Sequence, residues 1–261
     1  FIDNQATRED LASYYHEVSR FDHYIGLVTE ELKKQGVLDN TVIVVAADNG
    51  RAFPRGKTRL YDSGIKTPWV VHFPKLIKSS SVSTSLISSI DFSATCLELA
   101  GVKKPASIQG QSFLPILKDP KAVIRDMVFA EHNWHVYQAH ERMVRFGNFV
   151  YIKNNFPECH NLLYKQELYP TGKALWSAYA LGKTTPAQSS TVASPCPSEE
   201  LYDLSKDPLQ LSNLLTNPEY AEVLTKSRAL LKKWTVETGD TIPKNPTPNR
   251  LAPPRIINGK L

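Results

Sequence analysis

The feature of this sequence that most restricts its fold is an unbroken apolar run, VIVVAA, at residues 42–47. A run without polar alternation is typical of a strand that is covered on both faces, as in a parallel sheet. The preceding residues 7–36 carry apolar side chains at helical spacing, open with Thr7 and Asp10 in the spacing of a capping box, and end at Gly36. A helix followed by a buried strand is half of an α/β unit, so the sequence predicts an α/β fold.

The next elements extend this unit. Pro68 opens a second apolar run at residues 69–73, where proline is tolerated at the start of a strand. Residues 91–100 predict a helix capped by Asp91 and stopped by Gly101. Residues 112–117 predict a short helical turn. The sequence changes character near residue 122, where we place a subdomain boundary.

Beyond this boundary the sequence predicts a smaller α+β subdomain over residues 123–242, with a short antiparallel sheet and a C-terminal helix. Its strands are predicted at residues 127–131, 142–146, 149–153 and 200–204, with a hairpin turn at Gly147-Asn148. An amphipathic helix is predicted at residues 218–238 and a long loop at 184–198. The Pro-rich residues 243–261 predict an extended arm or a disordered tail.

Composition and charge exclude several classes of protein. Apolar residues make up 41% and charged residues 22% of the chain, which is ordinary for a globular protein and not for a disordered one. No stretch approaches the roughly 18 apolar residues of a membrane span. The net charge is +5, but four of these charges lie in the tail, so the body gives no reason to expect a nucleic-acid partner. The four basic tail residues are Lys244, Arg250, Arg255 and Lys260.

The three cysteines do not form a zinc site, because they make no CxxC pair and lack histidines at zinc-finger spacing. Cys96 lies in an apolar helical pattern and is predicted to be buried. Cys159 and Cys196 lie in loop-like sequence and could form a disulfide in an oxidising compartment.

The loop after the first strand carries the candidate chemistry. In open parallel sheets, ligands bind beyond the carboxyl ends of the strands, and this loop begins Asp48-Asn49-Gly50. A carboxylate beside an amide oxygen suits a hard cation, although Asn-Gly is also a common tight-turn dipeptide. Gly56-Lys57 follows, and a lysine near a cation could bind a tetrahedral oxyanion, or it could simply be solvated. Residue types alone leave both pairs of alternatives open.

Residues 41–73, TVIVVAADNGRAFPRGKTRLYDSGIKTPWVVHF, resemble the sulfatase family of the alkaline-phosphatase superfamily. Asp22 and Gly26 match that family's D-x-x-x-G, and residues 200–214 are similar to its closing ELYDL..DP....NL signature. The spacing from Phe53 to Tyr61 and the late Trp234-x-x-Glu-Thr are most similar to the heparan N-sulfatase subgroup. The resemblance implies an alkaline-phosphatase-like αβα sandwich, with residues 1–122 forming the C-terminal part of the catalytic domain.

By this resemblance, Asp48 and Asn49 are ligands of one active-site Ca²⁺, and Lys57 is the catalytic residue that contacts the sulfate. The substrate implied is a sulfated, glycosaminoglycan-type saccharide with an N- or O-linked sulfate. Two-zinc phosphatases and phosphodiesterases of the superfamily usually carry histidine at the position of Asn49, so the amide favours one oxygen-liganded cation. Arg59 and Tyr61 could line the same pocket. Family members usually work in the lysosome, in the periplasm or outside the cell.

The sequence departs from the family at the nucleophile. Sulfatases use a formylglycine made from the first residue of C/S-x-P/A-x-R, and neither Cys96 nor Cys196 begins such a motif. The resemblance therefore implies the C-terminal half of the enzyme, with the formylglycine and further metal ligands in an N-terminal half. We expect this chain alone to release no sulfate. A phosphodiesterase or phosphonate hydrolase of the superfamily and a non-catalytic saccharide-binding fragment are the alternatives.

The densest group of histidines lies at residues 131–135, EHNWH. A metal site would need a fixed geometry that a loop does not guarantee. Imidazole and aromatic groups at the end of a strand can instead stack on a sugar and form hydrogen bonds with it. We therefore predict that His132 and His135 contact the saccharide, from a segment of the small subdomain that overhangs the pocket.

Overall fold

The computed structural model describes residues 1–78, 80–158, 169–192 and 194–251 as a mixed α/β structure. Its helices are α1 Gln5–Lys34, α2 Asp62–Ile65, α3 Asp91–Leu99, α4 Leu114–Lys118, α5 Pro170–Ala180, α6 Pro186–Ser189 and α7 Ala221–Thr238. Its strands are β1 Ile43–Ala46, β2 Trp69–His72, β3 Met127–Trp134, β4 Gln138–Phe146, β5 Phe149–Asn154 and β6 Glu199–Asp203. Single 3₁₀ turns lie at Leu38–Asn40 and Pro218–Tyr220.

Helix α1 begins earlier than the sequence predicts, because Asn4 is its cap. The Oδ1 atom of Asn4 accepts a 2.9 Å hydrogen bond from the Thr7 amide. The capping box predicted at Thr7 and Asp10 is therefore wrong. The Asp10 carboxylate instead accepts hydrogen bonds from the Thr171 hydroxyl, at 2.6 Å, and from the Thr171 amide, at 3.1 Å. These bonds attach α1 to the first turn of α5, a helix that the sequence analysis did not predict.

Strands β1 and β2 pair with each other in an antiparallel ladder, from Ile43 opposite His72 to Ala46 opposite Trp69. The prediction of a parallel neighbour is therefore wrong for this pair. Its direction is set by the intervening loop, which turns back on itself, so that the Gly50 amide donates a 2.8 Å hydrogen bond to the Gly64 carbonyl. No residue of β1 is fully buried within this chain, and Val70 of β2 is 59% exposed.

The surface of α1 also exposes large apolar side chains, which include Tyr15, Val18, Phe21, Tyr24, Leu27 and Val28. Several large exposed apolar side chains on one helix are typical of a region that packs against another protein segment. Among the described residues, none of the helices combines the length and the apolar content that crossing a bilayer requires.

Two predictions around α3 are wrong. Asp91 does not cap α3: it is completely buried in the first turn, and its carboxylate accepts hydrogen bonds from the Ser88 amide, at 2.7 Å, and from the Gln111 amide, at 2.8 Å. It also forms an ion pair with Arg125, so it fastens three chain segments together. Cys96 is exposed, in contrast to its predicted burial.

The second half of the chain contains the four-stranded antiparallel sheet that the sequence predicts, with strand order β3-β4-β5-β6. Phe146 pairs with Phe149 across the predicted turn at Gly147-Asn148, which is therefore confirmed. Helix α7 packs on one face through Leu231 and Trp234, whose indole stacks on Phe129 at 5.2 Å. Leu231 is almost completely buried, and full burial of such a side chain stabilises the fold by about 1.5–3 kcal/mol.

The remaining segments are more ordered than the sequence predicts. The loop predicted at residues 184–198 contains helix α6, which begins with a capping box formed by Thr185 and Gln188. Residues 240–251 form an extended arm along β3 and β4. The arm is held by hydrogen bonds to Trp134 of β3 and to Gln138 and Arg142 of β4. Residues 252–261 and Cys159 lie outside the described part of the chain, and so does the disulfide considered between Cys159 and Cys196.

Candidate active site

The loop between β1 and β2 is folded tightly around three glycines. An added Cβ on Gly64 would lie 2.2 Å from the Arg59 carbonyl oxygen and 2.5 Å from that of Gly56. One on Gly50 would lie 2.0 Å from the Ser63 carbonyl oxygen, and one on Gly56 would lie 2.2 Å from that of Arg51. Only glycine allows such close backbone approach. The two candidate segments, Asp48-Asn49 and Lys57, are therefore parts of one compact loop.

Asp48 and Asn49 follow β1 directly, Asp48 exposed and Asn49 half-buried. The Asn49 amide nitrogen donates a 2.8 Å hydrogen bond to the Gly50 carbonyl, which leaves the Oδ1 atom as the acceptor that a cation would need. Ca²⁺ takes about six to eight oxygen ligands, so these two side chains fit only part of its coordination shell. The described residues contain no group of three or more His, Cys, Asp or Glu side chains that could hold a metal ion.

Lys57 lies in a strained stretch of backbone. The residues on either side of Gly56-Lys57 have left-handed backbone angles, with φ of 66° at Arg55 and 70° at Thr58. A positive φ is a clear outlier for a β-branched residue such as threonine. The Thr58 hydroxyl is also buried without a hydrogen-bond partner among the described residues. Strain of this kind persists only where the surroundings enforce it, and it concentrates at ligand-binding sites.

The surroundings that enforce this conformation come from the turn after β6. The guanidinium of Arg55 donates a 2.7 Å hydrogen bond to the Leu209 carbonyl and a second one to the carbonyl of Gln210, and it lies 4.0 Å from the centre of the Tyr61 ring. The buried Gln210 side chain accepts a 2.7 Å hydrogen bond from the Asp62 amide. This turn thus holds both ends of the segment that carries Lys57.

A buried polar network lies beneath the loop. Tyr61 donates a 2.8 Å hydrogen bond to the Glu200 carboxylate, which also accepts one from Tyr202. Burial raises the pKa of Tyr61 to about 12, which the charge of Arg59 only partly opposes. Burial alone would lower the pKa of Arg59. Electrostatic interactions with Tyr61, Glu141 and Glu200 outweigh the effect of burial, so the pKa of Arg59 is raised. Arg59 and Tyr61 are therefore buried supports of the loop, and the pocket lining considered for them stays a prediction.

His132 lies on β3 opposite Glu141 of β4, just before a register shift in the hairpin. Its Nδ1 atom lies 3.1 Å from the Glu141 carboxylate. A buried carboxylate in this position holds the imidazole plane and favours a proton on Nδ1. The Nε2 atom is buried and has no hydrogen-bond partner among the described residues, so it is available as an acceptor for a ligand.

His135 opens the three-residue connection between β3 and β4. Burial lowers the pKa of His135, and its electrostatic interactions with Lys57 and His132 lower it further. His135 thus interacts electrostatically with Lys57 and His132, and Asp48 and Asn49 lie in the loop that carries Lys57. Sequence reasoning did not find the supports Glu141 and Gln210, although both lie in or beside segments with sequence signals, the histidine hairpin and the ELYDL signature.

Comparison with known proteins gives two overlapping family matches. A family model described as "Sulfatase" matches residues 2–102, and one described as "N-sulphoglucosamine sulphohydrolase, C-terminal" matches residues 55–169. Among curated relatives, an ulvan-active sulfatase of Formosa agariphila is 33% identical over 94% of this chain and 41% of its own length. The N-sulphoglucosamine sulphohydrolase of Homo sapiens is 32% identical over 92% of this chain and 50% of its own length.

Solved structures share the fold. A protein in complex with its substrate D-glucosamine-2-N,6-O-disulfate matches with a TM-score of 0.64 and 24% identity, over 86% of this chain and 40% of that one. A 2-O GAG sulfatase matches with a TM-score of 0.62 and 22% identity, over 87% of this chain and 44% of that one. The chain spans half or less of the length of these relatives.

Proposed function

This chain belongs to the sulfatase family, and from that premise we propose that the full-length protein hydrolyses sulfate esters or sulfamates of glycosaminoglycan-type sugars. The observation that supports the proposal is the electrostatic interaction of His135 with Lys57 and His132, together with the Asp48-Asn49 turn in the loop that carries Lys57. The Lys57 ammonium and the oxygen-rich turn suit a tetrahedral anion such as sulfate, and the two imidazoles suit a sugar that carries it.

Lys57 is the catalytic residue of the proposal. Its ammonium contacts a non-bridging sulfate oxygen and stabilises the negative charge there as the bond to the leaving oxygen or nitrogen breaks. The close backbone packing at the loop glycines and the hydrogen bonds of Arg55 fix the backbone of Lys57 before substrate binds. Little reorganisation therefore accompanies the reaction.

Asp48 and Asn49 are the residues of this chain that would hold a Ca²⁺, together with ligands from another part of the protein. When bound, such an ion adds Lewis-acid stabilisation of the sulfate oxygens. The amide of Asn49 supports sulfuryl over phosphoryl transfer, since the two-zinc phosphatases of the superfamily need a softer ligand than an amide oxygen there. The nucleophile, a formylglycine in this family, is likewise proposed to lie in the N-terminal half.

His132 and His135 are proposed as saccharide contacts. The Nε2 atom of His132 is free to accept a hydroxyl or amino proton of the sugar, while Glu141 holds the opposite side of the ring. The lowered pKa of His135 favours its neutral form, which can both donate and accept a hydrogen bond at neutral pH. The names of the relatives, which include an N-sulphoglucosamine sulphohydrolase, support an amino-sugar substrate. By the same analogy we propose a lysosomal, periplasmic or secreted location.

The test is Lys57→Ala in the full-length protein, with sulfate release from N-sulfoglucosamine and from glucosamine 6-sulfate as the readout. Loss of one preorganised positive group at a developing anion lowers kcat about 10²–10³-fold. Lys66→Ala is the matched control, because Lys66 is exposed and follows the same loop. A full rate in the Lys57→Ala enzyme, or equal losses in both variants, would contradict the assignment of Lys57.

A further inference from the structure

The arm at residues 240–251 runs from the end of α7 to the histidine hairpin and is fastened at both ends. At its start, Asp240 accepts two 2.7 Å hydrogen bonds from the guanidinium of Arg142, a buried residue of β4. The next carbonyl, that of Thr241, lies 3.2 Å from Nε2 of His140. The side-chain nitrogen of Asn155 lies 3.0 Å from Nδ1 of the same imidazole, and the Arg142 guanidinium lies 3.1 Å from its Nε2.

At its far end the arm contacts the tip of the hairpin at three alternate positions. The Trp134 indole donates a 3.1 Å hydrogen bond to the Pro248 carbonyl. The Gln138 amide donates to the Asn249 side chain at 2.7 Å, and the Arg250 amide donates to the Val136 carbonyl at 2.8 Å. These three bonds flank His135 on both sides.

The other face of the hairpin tip is also covered. Val136 and Tyr137 are each 3% exposed and pack with Trp176 of α5. Leu251 of the arm packs against the same cluster. The tip is therefore held between a small apolar core and the arm. Because the β3–β4 register shifts between His132 and Trp134, the strand ladder alone does not fix the tip.

We propose that residues 240–251 act as a positioning strap, which holds the hairpin tip and thereby fixes the position of His135. Asn249 is the central positioning residue, because its side chain fixes the first amide of β4 after the tip. The hydrogen bonds and the apolar packing of the strap fix the position of the tip. The effect of the strap on turnover rests on the proposed function. If His135 contacts the saccharide, the strap sets the affinity for the saccharide and leaves the attack on sulfur unchanged.

The experiment compares Asn249→Ala with unmodified full-length protein by carbethoxylation with diethyl pyrocarbonate and mass spectrometry of each histidine. The reagent modifies accessible, neutral imidazoles, so the rate at His135 reports how often the tip opens. Loss of one net hydrogen bond raises the open fraction, and with it this rate, about fivefold. His72 is exposed, so its labelling rate is the internal reference for the activity of the reagent. His140 is buried in β4, so its labelling rate reports opening of the whole sheet.

Two further variants are matched controls. Asn245→Ala makes the same change at an exposed position of the strap, and Asn249→Asp keeps the acceptor oxygen; both should label His135 at the original rate. In turnover, Asn249→Ala should raise KM for the sulfated sugar several-fold with little change in kcat. An unchanged labelling rate at His135, or equal increases at His135 and His140, would overturn the strap. Absence of sulfate release by the unmodified protein would refute the proposed function and leave the labelling result decisive for the strap.

Discussion

Replacement of Gly64 with alanine probes how far the candidate site depends on close backbone packing. The new Cβ would lie 2.2 Å from the Arg59 carbonyl oxygen and 2.5 Å from that of Gly56. Both oxygens would have to withdraw by about 1 Å to reach ordinary contact. Neither can rotate away as a side chain would, so the cost belongs at the upper end of overpacking, about 3 kcal/mol.

Gly101→Ala provides the matched comparison. Gly101 has a left-handed backbone, with φ of 68°, and no atom within 4 Å of an added Cβ. Alanine there costs only the conformational term of about 1–2 kcal/mol. Urea unfolding of the two full-length variants at equal m-values should therefore give a midpoint clearly lower for Gly64→Ala than for Gly101→Ala.

The same variant should lose sulfate release under conditions where it is still folded, because the displaced Gly56 carbonyl precedes Lys57 directly. Equal midpoints for the two variants would refute the packing argument. A folded Gly64→Ala enzyme with full activity would refute the claim that this packing positions Lys57.

Two further predictions concern pH and metal content. The hydrogen bonds from Arg142 lower the pKa of Asp240 below its usual 3.8, so the stability from this pair is present above that pH and is lost as the pH falls through the lowered pKa. Urea midpoints of unfolding, measured against pH, should therefore fall less steeply at low pH for Asp240→Asn than for the unmodified protein. An equally steep fall in both proteins would contradict the pairing of Asp240 with Arg142. Metal analysis of the full-length protein should find one calcium per chain, whereas two tightly bound zinc ions would favour a phosphodiesterase.

The elements that the sequence predicted well are those with a strong local pattern. Helix α7 and the four strands of the small sheet follow from periodicity, and the turn at Gly147-Asn148 follows from its residue types. Strand direction in the β1–β2 pair does not, because an apolar run reports burial and not the identity of its neighbour. The cap of α1 was misassigned because Asn4 competes with Thr7 for the same helix end.

The candidate site was predictable in its residue types and not in its supports. The Asp48-Asn49 turn and Lys57 stand out through their spacing and family resemblance, and their roles stay predictions. Glu141 and Gln210 act across sequence separations that no local pattern reports, for example the 148 residues between Asp62 and Gln210. The strap was predicted only as an extended arm or a disordered tail, since its contacts depend on where β3 and β4 lie.

The most direct test of the central claim is product analysis with two substrates that differ only in the transferred group. Purified full-length protein is incubated with glucosamine 6-sulfate and, separately, with glucosamine 6-phosphate, and inorganic sulfate and phosphate are quantified. N-sulfoglucosamine is included to cover the sulfamate. The account predicts release of sulfate from at least one sulfated sugar, at a rate far above that of phosphate release. Release of phosphate with no sulfate from either sulfated sugar would contradict it.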